Sequence, residues 1–255
     1  MQMKAIFLGT GTSQGVPVIG CNCIVCQSTN LKNHRLRSSL LISISNYNIL
    51  IDIGPDFRTQ ILKSNFSSVD SVLFTHQHRD HTAGLDDLRP IYYMKKKPIE
   101  LYAENTVFES IKNDFKYLFF GVNYPGKPKF NLNVIDNTPF YISDINIIPI
   151  RVMHHQLPVL GYRLGNLSYI TDANYISDYE KQKLLGSEVL IINSLQKAKH
   201  ISHYNLTESL NIIKEIRPKR AYLTHISHGM GLHDIVQKEL PNNVFLAYDN
   251  LTITL

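Results

Sequence analysis

His76-Gln77-His78-Arg79-Asp80-His81 gathers three imidazoles and a carboxylate within six residues, directly behind the apolar run 69–75 (VDSVLFT). Imidazole nitrogen and carboxylate oxygen are the donors that zinc, manganese and iron accept at a catalytic centre. The apolar run predicts a strand, and alternate residues leaving a strand end point towards one spot. Such a cluster can hold two metal ions, His76 and His78 on one, Asp80 and His81 on the other. The plainer alternatives are a solvated histidine-rich loop or a purification tag; a tag carries no interleaved aspartate and does not sit in mid-chain behind a strand, and metal ligation is the usual reason for such His/Asp crowding.

The pattern His-x-His-x-Asp-His resembles the signature of the metallo-β-lactamase fold hydrolases, and further segments extend the likeness. Asp52 stands in ILIDIGPD, His154 in IIPIRVMHHQLPVLGYR, Asp172 in LSYITDAN and His225 in RAYLTHISH, in that order and each behind an apolar run. The resemblance implies an α/β (α+β) chain folded as a four-layer αβ/βα sandwich, with metal held between two β-sheets. It implies that His76, His78 and His154 hold a first divalent ion (Zn or Mn) and that Asp80, His81 and His225 hold a second. Asp172 would bridge them, since a carboxylate can span ions about 3.5–4 Å apart, and a water shared by the two ions would serve as nucleophile near neutral pH. On this reading Asp52 orients a ligand histidine through its free ring nitrogen. Adjacent His154 and His155 point to opposite faces of a strand, so only one reaches the metals. Alternation leaves the choice open; likeness to relatives with His-x-x-Leu-Pro ahead of Gly-Tyr selects His154.

Length and composition suit such a protein. A chain of 255 residues, 44% hydrophobic and 18% charged, can bury the core of one soluble globular domain over 1–255. No apolar run approaches the ~20 residues that span a bilayer, and the opening MQMKAIFLGTGTSQG lacks a signal peptide's long apolar region, so a cytoplasmic protein without a membrane partner is expected. A net charge of +5 hints at an anionic substrate. The single basic run, Lys95-Lys96-Lys97 before Pro98, reads as a solvated turn.

Short apolar runs predict strands at 3–9, 39–45 and 48–53, with a hairpin turn at Asn46-Tyr47. Helices are expected at 56–63, at 82–91 opening from the metal loop, and at 105–119. The Gly/Pro-containing stretch 121–133 reads as a loop, a lid or an insertion. Strands return over 134–152 and 162–170, then at 189–193 and 220–224, with a helix at 207–216 stopped by Pro218. The halves on either side of Pro139 are the expected two β/α layers.

Cys21, Cys23 and Cys26 form Cys-x-Cys-x-x-Cys and are the only cysteines in the chain. A disulfide would strand one thiol, whereas a structural zinc needs four ligands and so one more from elsewhere. His228, three residues past His225, is the candidate fourth, and zinc there would pin the cysteine-rich loop at about 11–30. The opening GTGTSQGVPVIGCNCIVC followed by RLRSSLL, with the later Thr-His-x-Ser-His, resembles the branch that includes the phosphoribosyl cyclic phosphodiesterase of phosphonate breakdown. The glycines Gly9, Gly11 and Gly15 match neither the dinucleotide fingerprint nor a P-loop, whose lysine is absent.

The branch also places a histidine just ahead of a helix as general acid toward the leaving alkoxide. By that resemblance His203 is the candidate, and imidazole has a suitable pKa; Asp80 is the second candidate catalytic residue. His233 is undecided, and His200 and His34 read as surface residues. The expected function is therefore a dinuclear phosphodiesterase acting on a small anionic, possibly cyclic, phosphate diester, with a homodimer as one possible assembly. A tRNA 3′-processing endonuclease would need a protruding arm, for which only the short stretch 124–129 is available. Thioester or lactone hydrolysis differs only in pocket shape. A metal-stabilised binding module suits a complete ligand set with a bridging aspartate poorly, because structural zinc sites are closed and mononuclear.

Overall fold

The apolar runs alternate two-sidedly, and this sets the architecture. In the hairpin of β1 (Met3–Gly9), β2 (Ser39–Ile44) and β3 (Tyr47–Ile51), Phe7, Leu40, Ile42, Ile49 and Ile51 face one core while Ile6, Leu8, Leu41 and Leu50 face another. Strands covered on both faces read as continuous apolar runs for this reason. The computed structural model describes residues 3–64, 66, 68–120 and 126–255. Along the chain follow β4 (Ser71–Leu73), β5 (Ile99–Ala103), β6 (Phe130–Val134), β7 (Phe140–Ile142), β8 (Ile145–His154), β9 (Leu157–Leu164) and β10 (Leu167–Ile170). The remaining strands are β11 (Tyr175–Ile176), β12 (Val189–Asn193), β13 (Arg220–Thr224), β14 (Val244–Leu246) and β15 (Thr252–Thr254). Helices are α1 (Phe57–Lys63), α2 (Arg79–Thr82), α3 (Arg89–Lys95), α4 (Asn105–Asp114), α5 (Lys116–Phe119), α6 (Asp178–Leu184), α7 (Leu206–Ile216) and α8 (His233–Glu239).

Among the described residues, one sheet runs β15-β1-β2-β3-β4-β5-β6 and the other β11-β8-β9-β10-β12-β13-β14, with β7 beside β8. A shared core lies between the sheets, from Phe7 and Ile42 on one side to Leu160, Tyr162 and Ile191 on the other. Phe57, Ile91, Val107 and Phe108 cover the outer face of the first sheet, and Leu184, Ile212, Ile213 and Val236 that of the second. The result is a four-layer αβ/βα sandwich. The residues just past β4 meet the middle of β9, where Leu160 N donates to the Thr75 carbonyl (3.0 Å) and the buried Tyr162 hydroxyl to the Phe74 carbonyl (2.6 Å).

Several expectations need correction. The hairpin turn is Ser45-Asn46, both at positive φ (48° and 68°), which fits a type I′ turn matched to strand twist. The helix expected at 82–91 begins inside the motif as α2, passes through a 3-10 turn at Leu85–Leu88 and resumes as α3. The helix at 105–119 breaks at Phe115 (φ −114°, ψ 43°) into α4 and α5. Within 121–133, residues 121–125 lie outside the described ones, and 130–133 belong to strand β6; the proposed arm 124–129 is likewise only partly described. The division near Pro139 is crossed by β15, which returns to pair with β1 in the first sheet. No helix among the described residues is long and apolar enough to cross a membrane.

Candidate metal centre

Asp52 directly follows β3, His225 directly follows β13, and Asp172 stands two residues beyond β10. All three take left-handed backbone, with φ of 60°, 50° and 55° for Asp52, Asp172 and His225. That conformation costs on the order of 1 kcal/mol or more per residue and clusters at functional sites. Here it coincides with side chains turned off their strand ends into one space. The motif 76–81 leaves β4 and His154 ends β8, so the segments meet at the carboxyl ends of strands from both sheets, where open α/β sheets place their ligands.

Asp172 occupies the middle. Its Oδ2 lies 2.7 Å from His81 Nε2 and 3.4 Å from His76 Nε2; its Oδ1 lies 2.9 Å from His225 Nε2 and 3.4 Å from His203 Nδ1. Asp80 Oδ2 lies 3.1 Å from His81 Nε2. Asp80, His81, Asp172 and His225 each bring one donor atom within 4.8 Å of the others. Beside them the rings of His76, His78 and His154 form a second group, with centroids 4.5, 5.2 and 6.0 Å apart. His154 is half-buried and faces this group, whereas His155 is exposed at a positive φ of 56°.

Outer contacts fix the rings. His81 Nδ1 lies 2.7 Å from Asp52 Oδ2, and Asp52 also accepts from Thr75 N and Oγ1, both at 2.8 Å. His154 Nδ1 donates to the Ser202 carbonyl (2.7 Å), and His76 Nδ1 lies 2.9 Å from Thr75 Oγ1. Gly54 makes the Asp52–His81 contact possible: a Cβ there would stand 2.2 Å from the Asp80 carbonyl oxygen, and Ile53 N donates to the His81 carbonyl (2.8 Å). Asn193, at the end of β12, clamps the residue after Asp172 by accepting from Ala173 N and donating to its carbonyl, both at 2.9 Å. Thr75, Gly54, Ser202 and Asn193 were not singled out from sequence. A carbonyl leaves no sequence signal; the glycine in IDIGPD and the threonine before the motif were the readable clues.

Charge follows from this packing. Burial pushes His76 well below the ordinary imidazole pKa. Burial opposes charge on His81 too, but Asp80, Asp172 and Asp52 outweigh it and hold His81 well above that value. Burial works to raise Asp172, yet the His225 and His81 imidazoles keep its carboxyl well below the usual range. Three carboxylates thus recruit positive charge to one buried point. His76 Nε2, His81 Nε2, Asp172 Oδ1 and His203 Nδ1 are buried and, although they lie 2.7–3.4 Å from facing polar atoms, make no aligned hydrogen bond. Buried polar atoms are normally paired, so these converging nitrogen and oxygen donors fit divalent cations. His203, 8% exposed, lies between the rings of His154 (4.5 Å) and His225 (4.9 Å), and burial pushes it down to about 3.

A second cluster stands apart. His228 Nδ1 lies 3.2, 3.5 and 3.5 Å from the sulfurs of Cys21, Cys23 and Cys26. A tetrahedral zinc would separate its nitrogen and sulfur ligands by about 3.6 Å. The Cys26 backbone N–H lowers Cys23 to about 6, while burial lifts Cys26 to about 11. Val16 and Val25 pack with the cysteines, and Gly11 bridges to Ile226, tying the loop to the turn that carries His225 and His228. His233 is buried, its Nδ1 accepting from Arg35 Nη2 (3.2 Å).

Residues 47–226 match the family described as the beta-lactamase superfamily domain. An octanoyltransferase of Porphyromonas gingivalis is 40% identical over 98% of this chain, which covers 51% of that protein. The coenzyme PQQ synthesis protein B of Methylobacterium nodulans is 30% identical over 43% of this chain and 40% of its own length. This chain thus spans at most about half the length of these curated relatives. A crystal structure of a diphosphatase from the PhnP family superimposes with a TM-score of 0.94 at 33% identity, covering 100% of this chain and 98% of that one. Human short-form tRNase Z shares the fold, with a TM-score of 0.71 at 21% identity and 98% of both chains covered. Together with the five strand-end segments, these matches establish that the chain belongs to the beta-lactamase superfamily, in the branch represented by the PhnP-family diphosphatase.

Proposed function

We propose that this protein is a dinuclear metal-dependent phosphodiesterase that cleaves a small anionic phosphate diester, cyclic diesters included. The observation that carries this reading is the place of Asp172, whose two oxygens face His76 and His81 on one side and His225 and His203 on the other. His76, His78 and His154 would hold one zinc or manganese ion, Asp80, His81 and His225 the second, and Asp172 both. When bound, such ions supply Lewis acidity toward phosphoryl oxygens and lower the pKa of a coordinated water. The chain's own groups do the rest. Asp52 fixes the His81 ring, and the Ser202 carbonyl fixes the tautomer of His154. Burial keeps His203 a neutral imidazole in the free protein; an anionic diester beside it would favour uptake of a proton from solvent by that ring, and the imidazolium so formed would pass that proton to the leaving alkoxide. Cys21, Cys23, Cys26 and His228 would hold a separate structural zinc, which suits a reducing compartment such as the cytoplasm.

The octanoyltransferase relative favours a second reading, hydrolysis of an acyl thioester, because its name concerns an acyl group. Metals per chain by elemental analysis, with turnover of bis(p-nitrophenyl) phosphate and of an octanoyl thioester, separate the two. About three metals and diester cleavage that is lost in His78→Ala support the phosphodiesterase. Thioester turnover alone moves the function to acyl hydrolysis, and fewer than two metals overturns both.

A further inference from the structure

The imidazole row continues beyond His203 to the surface. Ring centroids stand 4.9 Å apart from His225 to His203 and 5.2 Å apart from His203 to His200, while exposure passes from 1% at His225 through 8% at His203 to the exposed His200. His200 is not loosely placed. Its Nδ1 lies 3.4 Å from Ser202 N and 3.3 Å from Ser202 Oγ. A backbone N–H can only donate, so Nδ1 accepts and the proton sits on Nε2, which is left as an oriented donor. The loop beneath is tied to the centre itself. The Ser202 carbonyl accepts from His154 Nδ1 (2.7 Å), the Ile201 carbonyl from Asn174 Nδ2 (3.0 Å), and Tyr204 N donates to the Ala173 carbonyl (2.7 Å). Lys199 precedes His200, exposed and in no ion pair among the described residues, whereas nearby Lys197 is paired with Glu239 at 2.7 Å.

We propose that His200, assisted by Lys199, receives the leaving alcohol of the substrate and selects for one that carries its own negative charge, a carboxylate or phosphate beyond the reacting phosphorus. This rests on the phosphodiesterase reading above, in which His203 protonates the departing oxygen; the leaving group then extends past His203 toward the surface. The next side chain outward in the ring row is His200, a fixed donor, with the cation of Lys199 beside it in sequence. An anionic group meeting them gains a charge-assisted hydrogen bond. The contact is remote from the phosphorus, so it acts on substrate binding more than on the chemical step.

The test compares bis(4-nitrophenyl) phosphate with 4-nitrophenyl and 3-carboxy-4-nitrophenyl groups paired on one phosphate and with bis(3-carboxy-4-nitrophenyl) phosphate, which share a reacting centre and differ in whether the departing aryl group carries a carboxylate, on the metal-loaded protein. The expected result is a preference for the carboxylated diesters that falls about tenfold in His200→Ala, mainly through KM, falls further with Lys199→Ala added, and is partly restored in His200→Gln, which keeps a donor. Equal losses on all three diesters, or no change in their ratios, overturn the proposal. Calorimetry with phenyl phosphate and 4-carboxyphenyl phosphate reads the same contact without turnover. If the wild type cleaves none of these diesters yet binds the carboxylated monoester more tightly in a His200-dependent way, the anion contact stands and the phosphodiesterase reading falls. Loss of both preferences removes the proposal by itself.

Discussion

The cysteine cluster takes three of its four donors from six consecutive residues and sits half-exposed on a loop with a small core of its own. The His/Asp centre draws seven side chains from the ends of β4, β8, β10 and β13, on both sheets, and buries most of them. Soft thiolates closed by one imidazole suit a site that only holds structure together. Imidazoles and carboxylates with unpaired buried atoms, on strained backbone, suit a site where chemistry is done. Under the assignments proposed above, the difference teaches that locality in sequence goes with a structural staple, while a centre assembled from distant strand ends depends on the whole sandwich. The link between them is short: His225 and His228 share one turn after β13.

The sharpest attempt to break this comparison is Asp172→Ala. Because that carboxylate faces four imidazoles, turnover should fall on the order of 10³-fold or more, and calorimetric titration should show weakened metal binding at the centre; near-normal activity would sink the bridging role. Asp52→Asn sharpens it. The variant removes a charge from His81 Nδ1 without changing shape, so activity or metal affinity should drop about 10–100-fold, and a loss as large as that of Asp172→Ala would mean that Asp52 does more than orient. Cys23→Ser should act on the other region alone, releasing about one zinc and lowering the melting temperature, with activity per folded molecule reduced less than about tenfold. Unchanged zinc content would refute the structural site, and a collapse of activity matching Asp172→Ala would erase the distinction between the regions.

The sandwich was readable because its strands are buried on both faces, which leaves dense apolar runs such as 39–44 and 189–193. Helices were less legible where they are short: α2 is a single turn inside the motif, and α8 follows a 3-10 turn with few periodic positions. β14 and β15 were missed because three-residue strands carry almost no pattern. The return of β15 beside β1 joins residues nearly the whole chain apart, which no local signal encodes.

By itself the sequence determined the donor types and their order: the crowded motif 76–81, the aspartates and histidines behind later strands, and the cysteine trio. These are legible because metal ligation demands particular side chains, and side-chain chemistry is written residue by residue. Only the tertiary structure decided which groups meet. It turned His154 rather than His155 toward His76 and His78, set Asp172 amid four imidazoles, seated His228 against the three sulfurs and carried the histidine row outward to His200. The physical reason is that such meetings depend on strand direction, on single left-handed residues at strand ends and on backbone carbonyls such as that of Ser202, none of which a side-chain alphabet records.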